Sequence, residues 1–337
     1  MEITPSAYAP FESPEEYILG WTDQIWEEYG LGRLGEHYAD DMVVHGAYGP
    51  IRGMSTVLEG SLVKKSAFPN RIGTAEDVIC EARGDNAFIS HHRVFHVGPQ
   101  EGIWSYGPPR GRESESRNIA ICLVRDGLVV EEWVVRDEYR VVSSLGLDPE
   151  EIARKVAFTD EPEGLFGTPA PQNPTVLGES GPRPSDDHRG EAEFIHEFID
   201  RVWQQRHLEL VPQFTHRDLF LETTRARVRT RAKNYQMDLA QMLAPWPDAR
   251  IEVRDIAVNT APEQGTRIGV LWRLTGTYSG APLYGEVTDS PVEILGSSQF
   301  LLRGGKIIRE WRVFDEIAVL AQIARARGDV PAGPDAR

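Results

Sequence analysis

Cysteine is almost absent from this sequence: Cys80 and Cys122 are the only two in 337 residues. That excludes a disulfide-stapled scaffold, and since both stand in apolar, strand-like runs they read as reduced core residues. Basic residues are also short, 36 Lys and Arg against 52 Asp and Glu, for a formal net charge of −16. A chain this acidic repels polyanions, so nucleic acid is not an expected partner. No apolar run approaches the ~20 residues that span a bilayer. Met1–Glu12 has neither the basic start nor the apolar stretch of a signal peptide. The expectation is a cytoplasmic protein without membrane contact. A hydrophobic fraction of 40% over 337 residues suits two globular domains.

What the sequence does contain is a repeat. Glu131-Glu132-Trp133-Val134-Val135-Arg136-Asp137-Glu138 returns as Arg309-Glu310-Trp311-Arg312-Val313-Phe314-Asp315-Glu316. At the same offset Phe68-Pro69-Asn70 answers Trp246-Pro247-Asp248, and Asp77-Val78 answers Asp255-Ile256. Nearer the start, Ile25-Trp26 answers Val202-Trp203. The copies are expected at 1–157 and 186–330, with a tail at 331–337. Between them, 158–185 carries Pro162, Pro169, Pro171, Pro174, Pro182 and Pro184 and reads as an extended linker.

Each copy begins with helices. Ser13-Pro14-Glu15-Glu16 is a capping box with proline in the first turn, after which Tyr17, Ile18, Trp21 and Ile25 recur at helical spacing. A short helix ends near Tyr38, Met42–His45 reads as a strand, and another helix covers about Met54–Lys65. Strands follow at about Thr74–Glu81, Ala87–Val97, Arg117–Arg125 and Leu128–Tyr139, with Asp126-Gly127 and Gly304-Gly305 as hairpin turns. Helices followed by an antiparallel meander imply an α+β fold, a curved sheet wrapped around N-terminal helices, made twice.

Tyr38-Ala39-Asp40-Asp41 leads into Val43-Val44-His45-Gly46. Phe68-Pro69-Asn70 precedes the first long strand, and Asp126-Gly127 precedes Glu132-Trp133-x-x-x-Asp137. The second copy adds Arg273-Leu274-Thr275-Gly276-Thr277-Tyr278-Ser279-Gly280. In this order, and twice, these pieces resemble the SnoaL-like branch of the nuclear-transport-factor-2-like superfamily, whose polyketide cyclases and ester cyclases are cone-shaped α+β barrels. The resemblance implies an acid–base role for Asp137 and Asp315. It also implies a pocket histidine on the penultimate strand, but Ala120-Ile121-Cys122-Leu123 and Gln299-Phe300-Leu301 hold none. The fold hosts many reactions.

Read from the residues, alternation sets Trp133, Val135 and Asp137 on one face of the last strand, and Trp311, Val313 and Asp315 likewise. Facing an apolar cone, such an aspartate would be desolvated and suited to general-base work; the other reading is that it caps the following helix. His91-His92-Arg93 lies on a central strand, aligned with Leu271-Trp272-Arg273, while His45 aligns with Glu222. The expected catalytic set is therefore Asp137, His45, His91 or His92, and Arg93 as anchor for an anionic group. Trp26, Trp104, Tyr106, Arg117 and Trp133 are expected to bind substrate. A second pocket would hold Asp315, Glu222, Arg273, Trp311 and Tyr284. No metal or cofactor is expected. The function expected is acid–base chemistry on a small organic molecule, of isomerase, lyase, cyclase or hydrolase type. The alternative is a non-catalytic binding or assembly module of the same fold. The expected assembly is an intramolecular pseudo-dimer, with sheet surface left over for a homodimer.

Overall fold

The computed structural model describes residues 2–158, 188–261 and 263–329. Apart from Phe158, the expected linker falls outside the described residues, as does the tail. Ser13 starts α1 (Pro14–Thr22) by accepting the Glu16 amide on its hydroxyl, which satisfies one otherwise orphaned donor of the first turn. A wider turn, Asp23–Glu27, extends the helix. Its apolar face buries Tyr17, Ile18, Trp21 and Ile25. Then come α2 (Leu34–His37), β1 (Tyr38–Gly46), β2 (Gly49–Arg52) and α3 (Met54–Ala67). The meander is β3 (Ile72–Ala82), β4 (Ala87–Pro99), β5 (Glu113–Arg125) and β6 (Leu128–Arg136), and α4 (Glu138–Ser144) and α5 (Pro149–Ala157) follow it. Asp126 and Gly127 both take positive φ, 50° and 78°, as a tight hairpin requires.

The second half repeats this order. It runs α6 (Arg189–Phe198), α7 (Val211–Phe214), β7 (Thr215–Thr223), β8 (Arg227–Thr230) and α8 (Arg231–Leu243), then β9 (Arg250–Ala261), β10 (Gly265–Thr277), β11 (Pro291–Arg303), β12 (Lys306–Phe314) and α9 (Glu316–Arg327). Each sheet has six strands, ordered β2-β1-β6-β5-β4-β3 and β8-β7-β12-β11-β10-β9. β1 joins β6, and β7 joins β12, in parallel; the other pairs are antiparallel. Both sheets are therefore mixed and curl around their helices without closing. β6 stops at Arg136, short of the expected Tyr139, because Asp137 caps α4 by accepting the Arg140 amide.

Strand pairing fixes how the copies correspond. Ile121 lies opposite both His91 and Trp133, and Gln299 opposite both Gly269 and Trp311. His91 thus corresponds to Gly269, His92 to Val270, Arg93 to Leu271 and Val94 to Trp272. The expected alignment of His91-His92-Arg93 with Leu271-Trp272-Arg273 was two residues out, since Arg93 and Arg273 looked like a shared landmark and are not one. His45 and Glu222 do correspond, opposite Trp133 and Trp311.

Each sheet is buried on both faces. The inner face of the first packs Val78, Cys80, Ala120, Cys122 and Val134 toward α1 and its extension; Cys80 and Cys122 are free thiols. The outer faces meet each other: Ile79, Ile119, Ile121, Trp133 and Val135 share one apolar cluster with Ala257, Leu271, Leu295 and Val313. Gly269 is part of this fit, because a Cβ there would lie 2.5 Å from the His91 ring. Helices α5 and α9 also pack together through Ile152, Ala153 and Val156 against Ile317, Ala321 and Ala324.

Candidate functional site

The inner face of the first half encloses a cavity of about 1470 Å³. Cross-strand ladders set its polar groups in rows. Glu132 lies opposite Cys122, which faces Ser90; Val134 opposite Ala120, which faces His92; and Arg136 opposite Asn118, which faces Val94. Trp21, Trp26 and Tyr38 wall the end near Glu132. Lys64 from the last turn of α3, Arg71 just before β3, and His96 line the cavity along with Trp104, Tyr106 and Glu138. Tyr48, Asp315 and Arg325 also reach it, so α9 of the second half supplies part of the wall.

The electrostatics of this interior follow from burial. The Tyr38 hydroxyl donates to Glu132 Oε2 at 3.2 Å. Burial raises the Glu132 carboxyl to about 7, against the opposing pull of Arg136 and of the Tyr38 hydrogen bond. Glu132 is only half-buried, because the cavity itself reaches it. His92 is lowered to about 4, by burial first and His91 second, and is therefore neutral at pH 7. Its Nδ1 lies 3.4 Å from the Ser90 hydroxyl.

The second half has the same strands and a filled interior. Trp272 replaces Val94 and packs against Trp203 and Phe314, with ring centroids 5.7 and 6.1 Å away. Gly296 replaces Asn118, and a Cβ there would come within 2.1 Å of the Trp272 ring. Arg312, at the place of Val134, donates to Asp238 at 3.1 Å and lies 3.1 Å from Glu310. Glu310, the counterpart of Glu132, is wholly buried and accepts from Ser298 at 3.1 Å. The same acidic position is thus open to a cavity in one copy and locked into a salt bridge in the other.

Of the residues singled out from sequence, His92, Trp26, Trp104 and Tyr106 line this cavity, and so does Asp315, from the other half. The structure places the remainder elsewhere. Asp137 faces away from the cavity, capping α4 and accepting the Arg225 amide at 2.8 Å. His45 pairs with Glu131 at 2.7 Å and stacks on Trp133 at 5.1 Å, on the outer face. His91 bonds Asp255 at 2.8 Å. Arg93 pairs with Glu76 at 2.9 Å and covers the Trp311 ring at 3.8 Å. Arg117 bridges Glu76 and Glu222.

The expected second pocket does not gather. Glu222 and Trp311 belong to the contact between halves. Arg273 pairs with Glu293 at 2.6 Å, and the Tyr284 hydroxyl donates to Glu316 at 3.0 Å. Asp315 caps α9 by accepting the Ile317 and Ala318 amides at 2.8 and 3.0 Å, as the capping alternative holds.

Sequence reasoning passed over Glu132, Arg136, Lys64, Arg71 and Tyr38. Alternation separates Trp133, Val135 and Asp137 from Glu132, Val134 and Arg136, but it does not say which set looks inward when both faces are buried. One signal was available: Glu132 and Glu310 put a carboxylate at the same place in both copies. Among the described residues, no three His, Cys, Asp or Glu side chains gather as metal ligands. None of their helices is long and apolar enough to cross a membrane.

The model of the SnoaL-like polyketide cyclase family matches residues 16–145 and again 193–323. Among solved structures the chain is similar to IdmH, a putative polyketide cyclase from Streptomyces antibioticus. Identity there is 25% over 40% of this chain and 100% of that one, with a TM-score of 0.35. It is similar also to a putative SnoaL-like polyketide cyclase from Jannaschia sp., at 17% identity over 46% and 100%, TM-score 0.36. AclR, a putative hydroxylase from Streptomyces galilaeus, matches at 19% identity over 44% and 86%, TM-score 0.34. No curated protein matches the chain.

Proposed function

Since this chain belongs to the SnoaL-like polyketide cyclase family in both its halves, we propose that it is a cofactor-independent acid–base enzyme whose one working pocket is the first-half cavity. The observation that carries this reading is Glu132: a carboxyl on the wall of a large cavity, raised to about 7 by burial and hydrogen-bonded by Tyr38. A group poised near the working pH is the most effective proton carrier, because enough of it is free to accept and enough is loaded to donate. Tyr38 fixes one carboxylate oxygen. Neutral His92 offers a hydrogen bond to substrate without adding charge, as would suit a carbonyl oxygen that gains negative character when Glu132 removes a neighbouring proton. Isomerisation, elimination and cyclisation all pass through that step. The volume exceeds the ~300–1,000 Å³ of most small-molecule pockets, leaving room for a polycyclic or long-chain molecule.

In this reading the second half is a partner and not a second enzyme. Trp272, Phe314 and Arg312 fill its interior, and it lends Asp315 and Arg325 to the first pocket. The two halves would then act as an intramolecular pseudo-dimer. The test is to screen small carbonyl compounds for enzyme-dependent exchange of a carbon-bound proton in heavy water. Glu132→Gln should slow the exchange of any active compound by roughly 10²–10⁴-fold; undiminished exchange in that variant would end the acid–base reading.

A further inference from the structure

Six basic side chains line the first-half cavity and none forms an ion pair among the described residues: Arg52, Lys65, Arg325, and the mutually interacting three, Lys64, Arg71 and Arg136. Lys64 lies 6.0 Å from the Trp104 ring centroid, and Arg71 donates to the Ser116 hydroxyl at 3.2 Å. Among the described residues neither these two nor Arg136 forms an ion pair. Several arginines of the interior and of the contact between the halves are paired. Arg83 is paired with Glu81 and Asp255, Arg93 with Glu76, Arg117 with Glu76 and Glu222, Arg267 with Asp77, and Arg312 with Asp238 and Glu310. A chain of net charge −16 has carboxylates to spare, yet leaves these three cations unpaired.

The three are close enough to feel one another. Lys64 is pushed well below its ordinary value by burial and then by Arg71 and Arg136. Arg71 is lowered to about 10 by burial, with Arg136 adding to it and Glu138 opposing. His96 is pushed well below its ordinary value by burial, Arg71, Lys64 and Arg136. The acidic groups nearby are already engaged: Glu138 accepts from the Tyr106 hydroxyl at 3.4 Å, Glu27 from the Gly73 amide at 3.1 Å, and Glu132, which feels Arg136, from the Tyr38 hydroxyl at 3.2 Å. Clustered, partly buried cations with no ion-pair partner are costly, and the cost is recovered when an anion arrives.

The second copy shows that the fold does not need them. By the repeat offset Lys64 corresponds to Met242, Arg71 to Ala249, Arg136 to Phe314 and His96 to Leu274. The charges are present where there is a cavity and absent where the interior is filled.

We propose that Lys64, Arg71 and Arg136 form an anion subsite in the first-half cavity that takes a carboxylate or phosphate group of the ligand. Arg136 stands four residues beyond Glu132 on β6, or ~13 Å along the strand, so a ligand anchored there would extend toward the acid–base end. Trp104 and Tyr106, whose ring centroids are 4.1 Å apart, offer an aromatic wall beside the subsite. The proposal rests on the reading that this cavity holds the substrate, but not on what Glu132 does.

Calorimetric titration of the full chain with 2-naphthoate, 2-naphthyl phosphate and 2-naphthalenemethanol tests it, since the three share one ring and differ in charge. At least one anion should bind about tenfold or more tighter than the alcohol; which anion is preferred separates carboxylate from phosphate. Lys64→Met, Arg71→Met and Arg136→Met should each weaken the preferred anion about tenfold and leave the alcohol within about twofold. Without ligand, these variants should unfold at the same temperature as the wild type or higher, because each relieves repulsion; a structural cation would give the opposite. Equal binding of anions and alcohol, no anion binding, anion affinity unchanged in all three variants, or marked destabilisation in all three would overturn the subsite. Glu132→Gln separates the two readings: full proton exchange in that variant removes the acid–base role and leaves the anion result standing.

Discussion

His91 Nε2 and Asp255 Oδ2 lie 2.8 Å apart, both buried, each from a different copy of the repeat. Arg83 adds a second contact to Asp255 at 3.0 Å. Burial alone would raise the Asp255 carboxyl, but Arg83 and His91 outweigh it and hold the carboxyl below its ordinary range. Removing one member of such a set leaves buried charge without compensation. Asp255→Ala should therefore cost on the order of 3–5 kcal/mol in denaturant unfolding. A cost within ~0.5 kcal/mol, the usual size of a surface change, would show that the halves do not depend on this contact.

The stability that Asp137 contributes changes with pH in one direction. Burial, with Glu316 adding, raises its carboxyl to about 7 in the folded chain, whereas unfolded it returns to ~3.9. Between those values the folded chain keeps a proton that the unfolded chain has released. The stability this carboxyl supplies is thus full below ~pH 4 and is lost as pH rises through 7. Asp137→Asn keeps a capping oxygen and removes the charge. Relative to wild type, it should gain on the order of 1–3 kcal/mol between about pH 5 and about pH 8. A difference that does not vary with pH would contradict this. Turnover should be nearly unchanged, because Asp137 does not line the cavity.

The filled second half supplies a recipe for closing the first. Trp272 occupies the place of Val94, and Gly296 makes room for it in place of Asn118. Val94→Trp combined with Asn118→Gly should abolish naphthoate binding while the unfolding free energy stays within ~1–3 kcal/mol of wild type. Val94→Trp alone should be the less stable of the two, since the Asn118 side chain stands where the indole must go. Undiminished ligand binding in the double variant would show that the ligand sits outside the cavity.

How much of this was legible in the sequence depends on the kind of signal. The repeat, the capped α1, the Asp126-Gly127 hairpin and the order of elements all rest on local chemistry, and the family match bears out the fold. The choice of pocket face does not rest on local chemistry. Trp133 and Val135 looked like a pocket wall, with Asp137 on the same face, because they are apolar and alternate, yet those same properties suit a face buried against another sheet. His91 and Arg93 were singled out as chemistry-bearing and instead serve contact between the halves, where Gly269 makes space for the imidazole. Lys64 and Arg71 carry no local pattern at all. One ends a helix and the other follows a turn, and only the curvature of the sheet brings them to the same cavity as Arg136.

The most direct test of the central claim is the titration of Glu132 itself. With isotope-labelled glutamate in the full chain, its side-chain carboxyl resonance can be followed against pH and assigned by its loss in Glu132→Gln. The account predicts that the lost resonance titrates with a midpoint near 7, far above the ordinary glutamate value of 4.5. A lost resonance titrating near 4.5 would contradict it, because Glu132 would then be an ordinary carboxylate and not a group poised to carry protons.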